Sequence, residues 1–296
     1  MLQSAVRRRG LNHRMQPLVP VVFVATGRSG STLLMELLGT SPDVLFERVY
    51  AYERAYLTYL LQLARLPAEG VASAERWHRA SIDQVRHLPT GKLLGGIPWT
   101  DRRLLEVEEP PLWIPLLRAT WRVFSDRMRA SAGIDPPPRY YAETGPLWVP
   151  RMARRALPVQ IGYLVRDPRD QMVSIAAFVA HRHPSFGFRP DDTTETYAPR
   201  FVERQRQLLQ AAGNPGPRTL VIRYEDLALE IAATADKLGS WLDIDLKPSR
   251  VPAHLDHRTT PSAAASVGRW RSELDSDVAH YIVEQLGDEM KKLGYE

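Results

Sequence analysis

The sequence predicts a three-layer α/β protein with a central parallel sheet flanked on both faces by helices. Short continuous apolar runs rich in β-branched residues at Pro20–Thr26 and Val159–Val165 read as strands buried on both faces, and Leu220–Tyr224 reads as a third strand. After the strands come turns and segments with helical apolar spacing, the alternation expected of a parallel sheet. No repeat or linker divides the 296 residues, so one large unit over 20–296 is expected behind an N-terminal arm over 1–19.

The arm carries Arg7, Arg8, Arg9 and Arg14 with no acidic residue and reads as flexible. It lacks the apolar run of a secretory signal and suits a peripheral contact with an anionic membrane surface. After the first strand and a glycine turn, Leu33, Leu34, Leu37 and Leu38 recur at helical spacing, and Gly39 stops the helix. Helices are expected over Tyr52–Leu66, Ala72–Leu88 and Pro111–Ala130, a helical insertion at about 52–130 between sheet strands. Asp135–Pro138 is a loop and Leu147–Leu157 a helix. The strand Val159–Val165 leads through a turn at Arg166–Arg169 into a helix over Asp170–Ala180, then a polar loop over His181–Thr194. A helix over Thr196–Ala212 breaks at GNPGP, and the strand Leu220–Tyr224 precedes a helix over Leu229–Leu242. Asp243–Val267 is irregular, and the last helix spans about Glu273–Leu293.

The absence of cysteine excludes disulfides, thiolate metal ligands and cysteine nucleophiles. No stretch approaches the length of an apolar membrane span, so a cytoplasmic location is the default expectation. The net charge of +5 suits an anionic ligand, and no motif that reads RNA or DNA is present. Oligomeric state leaves no mark in the sequence.

Two strand-to-helix junctions carry the chemistry. In VVFVATGRSGSTLLMELL, Gly27 and Gly30 let the backbone fold tightly around an anion. The loop N–H groups, the N-terminus of the following helix and the hydroxyls of Ser31 and Thr32 then donate to phosphate. The loop is not the lysine-bearing nucleotide kinase form, because no lysine follows the glycine and the basic residue is Arg28. In YLVRDPRDQMVS, Arg166 leaves the end of a buried strand, where open α/β sheets bind ligands, and Ser174 lies near the start of the next helix. Asp167, Arg169 and Asp170 read as turn formers and helix caps.

The chain resembles the sulfotransferase superfamily that uses 3'-phosphoadenosine 5'-phosphosulfate (PAPS). RSGST matches the family's 5'-phosphosulfate loop in the arginine version common among bacterial and tyrosylprotein members. The resemblance implies a P-loop NTPase-like sulfotransferase fold, and sulfuryl transfer from PAPS to an acceptor hydroxyl on a carbohydrate, lipid or natural product. The co-product would be adenosine 3',5'-bisphosphate, and no metal is expected. It implies that Arg28, Ser29, Gly30, Ser31 and Thr32 hold the 5'-phosphate and sulfuryl oxygens, with Arg28 also catalytic. Arg166 and Ser174 would hold the 3'-phosphate. VIRYEDL would put Tyr224 beside the adenine. SVGRWRSEL would close over the nucleotide through Ser266, Gly268 and Arg269, with Trp270 either stacking or in the core.

An attacking hydroxyl needs a base. Several branches use a glutamate soon after the first helix, and Glu47, 19 residues after Arg28, aligns best with it. Glu53 and a histidine remain alternatives. YAETGPLW sits where many members read EKTP, so Thr144 replaces a family lysine that helps stabilise the transferring group. Lys92, another arginine or Arg28 alone would have to cover that role, while Glu143 is expected to be structural or orienting. Tyr50, Tyr52, Tyr56 and Tyr59 form core or an acceptor wall. Two rival readings stay open: a kinase with a degenerate loop, and a binding module without transfer activity.

Overall fold

The computed structural model describes residues 16–48, 55–65, 113–181, 187–189, 191–252 and 259–296. The strands are β1 (Val19–Val24), β2 (Val44–Leu45), β3 (Tyr140–Gly145), β4 (Gln160–Val165) and β5 (Thr219–Arg223). They form one sheet in the order β2-β3-β1-β4-β5 with every pairing parallel. The α/β class expected from the alternating pattern is the observed one.

Helix α1 (Ser31–Leu38) follows β1, and α2 (Tyr56–Arg65) and α3 (Trp113–Ala132) precede β3. Helix α4 (Trp148–Ala153) joins β3 to β4. Helices α5 (Pro168–His181) and α6 (Thr194–Gly213) join β4 to β5. After β5 come α7 (Tyr224–Leu229), α8 (Ile231–Leu242), α9 (Trp270–Glu273) and α10 (Ser276–Lys292).

The central strand explains why its sequence is a continuous apolar run. Val21 and Phe23 pack among Leu34, Leu38, Leu238 and Leu242 of α1 and α8. Val24 joins Met172, Phe201 and Leu286 of α5, α6 and α10. Val22 packs with Leu57, Leu61, Leu117 and Trp121 of α2 and α3. Both faces of β1 are therefore dry, and each fully buried aliphatic side chain contributes about 1.5–3 kcal/mol. The strand's start is pinned to α3: the Trp121 indole N–H donates to the Leu18 carbonyl at 2.7 Å, and Ser125 Oγ accepts from the Leu18 N–H at 3.0 Å.

Two of the five strands carry no apolar run and are absent from the sequence expectation. β2 has two residues. β3 spells YYAETG, with a glutamate in its middle, yet it pairs with both β1 and β2. Its Glu143 is only 2% exposed and is tolerated because the N-terminus of α2 supplies hydrogen-bond donors to it. The helix expected over 147–157 is shorter. The one expected over Leu229–Leu242 is α8, which starts at Ile231, and a short helix not expected from the sequence, α7, precedes it directly from Tyr224. The basic arm up to residue 15, the helix expected over Ala72–Leu88 and most of the expected insertion lie outside the described residues.

Candidate functional site

Because β1 and β4 are parallel neighbours, their carboxyl ends deliver both motifs to one edge of the sheet. The turn after β1 holds Arg28 at φ 67 and Gly30 at φ 94. Gly30 is required twice over, by its positive φ and because a Cβ there would lie 2.2 Å from Cδ2 of Tyr224. Arg28 is a non-glycine residue in the left-handed region, a conformation that persists only when neighbours enforce it. Those neighbours are visible. Gln171 Nε2 donates to the Gly27 carbonyl at 2.6 Å and to Thr26 Oγ1 at 2.8 Å, and Arg166 Nη1 donates to the Arg28 carbonyl at 3.0 Å. No side chain caps α1, whose N-cap is Gly30, so its first-turn N–H groups face the loop's concavity without an intrahelical acceptor.

The two arginines share this site. Arg28 Nε donates to Ser174 Oγ at 3.3 Å, and its guanidinium lies 4.4 Å above the Phe178 ring. Gln171, Ser174 and Phe178 lie three and four residues apart, so one face of α5 buttresses the whole loop. Arg166 is 4% exposed, with Nη1 on the Arg28 carbonyl and Nη2 on the Ser266 carbonyl at 2.8 Å. Its guanidinium stacks 4.4 Å over Tyr224. The Nε–H is buried with no hydrogen-bond partner among the described residues. Burial pushes the Arg166 pKa down, and the nearby Tyr224, Asp170 and Glu225 oppose that.

Several expected ligand groups are turned inward. Ser29 is fully buried and its hydroxyl donates to the Thr26 carbonyl at 2.8 Å, so it closes the turn instead of facing outward. Tyr224 is a pillar under the site, not an exposed adenine platform. Gly30 lies on its ring edge, Arg166 covers a face, and its hydroxyl shares a 2.6 Å hydrogen bond with Ser266 Oγ. Ser266 is thereby internal as well, and its carbonyl orients Arg166. Gly268, at φ 78, turns the backbone, and its N–H donates to Asp170. Arg269 is ion-paired to Glu273 at 2.6 Å. Ser31 and Thr32 stand half-buried at the start of α1, as expected.

Gln171 and Phe178 are the site residues that sequence reasoning missed. Their signal was present, since both share the helical face that carries Ser174. Asp167, Arg169 and Asp170 do more than form a turn. Asp167 pairs with Arg169 at 2.7 Å, the Asp167 N–H donates to Glu225 Oε1 at 2.9 Å, and Tyr295 donates to Glu225 Oε2 at 2.9 Å. A cavity of about 140 Å³ is lined by Thr26 and Gly27 of the loop together with Ile175, Tyr197, Phe201 and Arg204.

Glu47 follows β2, at the same carboxyl edge of the sheet as Arg28 and Arg166. It is half-buried, and the strand it follows, β2, lies two strand spacings, about 10 Å, from β1. Thr144 lies on β3 opposite Phe23 of β1. Glu53, Lys92, Tyr50 and Tyr52 lie outside the described residues. Among the described residues no group of three or more histidine, aspartate or glutamate side chains is placed to hold a metal ion, and no helix is long and apolar enough to cross a membrane.

Glu143 is an orienting residue. Its carboxylate accepts from the N–H groups of Leu57 and Thr58 at 2.8 and 3.0 Å and from the Thr58 hydroxyl at 2.7 Å. It thus locks α2 onto β3, beside the loop. Burial pushes its pKa up to about 7, only partly offset by these donors. A carboxyl raised in the folded state stabilises the fold below its unfolded pKa of about 4.5, and that contribution is lost as pH rises through about 7. The shift corresponds to about 3 kcal/mol. The melting temperature should therefore fall between about pH 5 and pH 8, and Glu143→Gln should flatten that slope; an unchanged slope in the variant would refute the assignment.

No family model matches the chain, and no curated protein matches it. Solved structures do. The sulfotransferase STF9 from Mycobacterium avium is 12% identical, with a TM-score of 0.48 over 95% of this chain and 78% of that one. Mouse sulfotransferase SULT7A1 complexed with PAP is 13% identical, with a TM-score of 0.48 over 92% of this chain and 85% of that one. Retinol dehydratase in complex with androsterone and the inactive cofactor PAP is 17% identical, with a TM-score of 0.44 over 93% and 82%. The chain is thus similar, at low identity, to sulfotransferase structures over most of its length.

Proposed function

We propose that the protein is a PAPS-dependent sulfotransferase acting on an acceptor hydroxyl, with residues 20–296 as its single catalytic unit. One observation carries the reading. Two motifs 138 residues apart meet through the Arg166–Arg28 hydrogen bond, and Ser174 of the second motif accepts from the Arg28 side chain of the first. A ligand with a phosphate at each end needs two adjacent anion sites, and the meeting of the two motifs at this edge of the sheet supports that reading. The open N–H groups of α1 and the Gly30–Thr32 loop suit the 5' end. Arg166, with its buried unpartnered Nε–H, and Ser174 suit the 3' end.

The chemistry follows from these positions. The acceptor O–H gives its proton to Glu47, its oxygen bonds to sulfur, and the bond from sulfur to the bridging phosphate oxygen breaks. Adenosine 3',5'-bisphosphate leaves. The sulfuryl group carries less negative charge than a transferring phosphoryl group, so fixed N–H donors and one guanidinium can stabilise the transition state without a metal ion. The Arg28 fork can donate two hydrogen bonds to the bridging oxygen as charge develops there. The absence of a loop lysine disfavours the kinase reading. The acceptor class stays with carbohydrate, lipid and natural-product hydroxyls, and the protein is read as cytoplasmic, with the basic arm as its membrane-surface contact.

The test is transfer of label from radiolabelled PAPS to a panel of such acceptors. Labelled product supports the reading. Tight adenosine 3',5'-bisphosphate binding without any transfer would favour a binding module, and turnover of magnesium–ATP would favour a kinase. Glu47→Gln should leave nucleotide affinity unchanged and slow transfer by about 10²–10⁴-fold, the usual worth of a positioned base. Wild-type turnover in that variant would move the base to Glu53 or a histidine.

A further inference from the structure

We propose that Asp170 is a positioning residue for the nucleotide: its carboxylate holds the 266–270 segment against the Arg166 turn and so sets nucleotide affinity, not the rate of transfer. The inference rests on the nucleotide reading above and adds to it a residue that never touches the ligand.

Asp170 lies on the first turn of α5 and is 1% exposed. It does not cap its own helix. Its Oδ2 accepts the Gly268 N–H at 2.6 Å and its Oδ1 the Trp270 N–H at 2.9 Å. Both oxygens are therefore committed to a segment about 100 residues away in the chain. That segment contains the Ser266 carbonyl, which receives Arg166 Nη2, and the Ser266 hydroxyl, which holds the Tyr224 ring beneath Gly30. Arg169, one residue earlier, stacks 3.9 Å over the Trp270 ring and closes the other side of the contact. Gly268 sits at φ 78, a left-handed conformation that favours glycine, and a Cβ there would lie 3.0 Å from Arg271 Nη1.

The placement is electrostatically costly for an anion site. A buried carboxylate beside Arg166 repels an incoming phosphate unless its charge is held elsewhere. Two short N–H bonds hold it. Positioning and simple electrostatics therefore predict opposite signs on neutralisation. If Asp170 were only a nearby negative charge, Asp170→Asn would tighten nucleotide binding. If it positions the segment, the amide faces one N–H with its own donor, the segment slips, and binding weakens.

Calorimetric titration of the full chain with adenosine 3',5'-bisphosphate decides between them. The expected result is a dissociation constant about 10–100-fold higher in Asp170→Asn, the loss of roughly one charge-assisted hydrogen bond. With saturating PAPS, kcat should stay within about three-fold of wild type, since the sulfuryl end is untouched. An equal or tighter constant in a folded variant overturns the proposal while the nucleotide reading stands. A wild type that does not bind this nucleotide overturns both. Should the variant not fold, hydrogen exchange on the wild type replaces it: the Gly268 and Trp270 amides should gain protection on nucleotide binding, and unchanged exchange overturns the proposal.

Discussion

Replacing Arg28 by alanine is expected to lower turnover by about 10²–10³-fold, the usual loss when one donor aimed at developing charge is removed. Nucleotide affinity should fall by less than about ten-fold, because the groups at the 3' end and the open N–H groups of α1 remain. The left-handed backbone at φ 67 complicates the comparison, since alanine is strained there as arginine is. Arg28→Gly removes both the strain and the charge. If the charge is what matters, glycine and alanine variants are equally slow. Arg28→Lys should recover only part of the rate, because an ammonium lacks the planar fork and loses the contacts with Ser174 and Phe178. Single-turnover transfer from labelled PAPS, alongside calorimetric affinity, separates the effects. Wild-type turnover in Arg28→Ala would remove this loop from the chemistry.

Arg166→Ala is expected to act on binding. It deletes the one guanidinium that touches both the Arg28 and Ser266 carbonyls, so the two halves of the site lose their bridge. The dissociation constant for adenosine 3',5'-bisphosphate should rise by about 100-fold or more, while the constant for adenosine 5'-phosphate, which lacks the 3' group, should change far less. The variant should also be less stable, by about 1–3 kcal/mol for the buried Ser266 carbonyl left without its donor. Turnover at saturating donor should survive. A parallel loss of affinity for both nucleotides would mean that Arg166 only supports the fold.

Much of this was legible in the sequence, and the misses have physical causes. β1 and β4 announced themselves because a strand buried on both faces must be apolar throughout; β5, an edge strand in which Ile222 alone is buried, was legible from its β-branched residues. β3 did not, because Glu143 sits in its middle and becomes acceptable only once α2 offers it N–H donors. Local pattern cannot show a partner more than 80 residues away. The glycine turn and the Arg166 turn were recognisable because their glycines, arginines and serine fall at strand-to-helix junctions, where backbone N–H groups are open to an anion. The roles of Ser29, Tyr224 and Ser266 were not. A hydroxyl or an aromatic ring in a motif can face the ligand or hold the wall behind it, and only packing decides. Here Gly30 and Arg166 cover Tyr224, and Tyr224 engages Ser266. Gln171 and Phe178 carried only the faint signal of sharing a helical face with Ser174, and they look like ordinary helix residues until α5 is laid against the loop.

The account depends on one nucleotide bridging the Arg28 loop and the Arg166 turn. A crystal structure with adenosine 3',5'-bisphosphate bound tests that most directly. The 5'-phosphate should lie within hydrogen-bond distance of the Gly30–Thr32 N–H groups. The 3'-phosphate should lie against Arg166 and Ser174, with the arginine exchanging a carbonyl partner for the anion. A nucleotide bound elsewhere, or one whose two phosphates miss either motif, would contradict it.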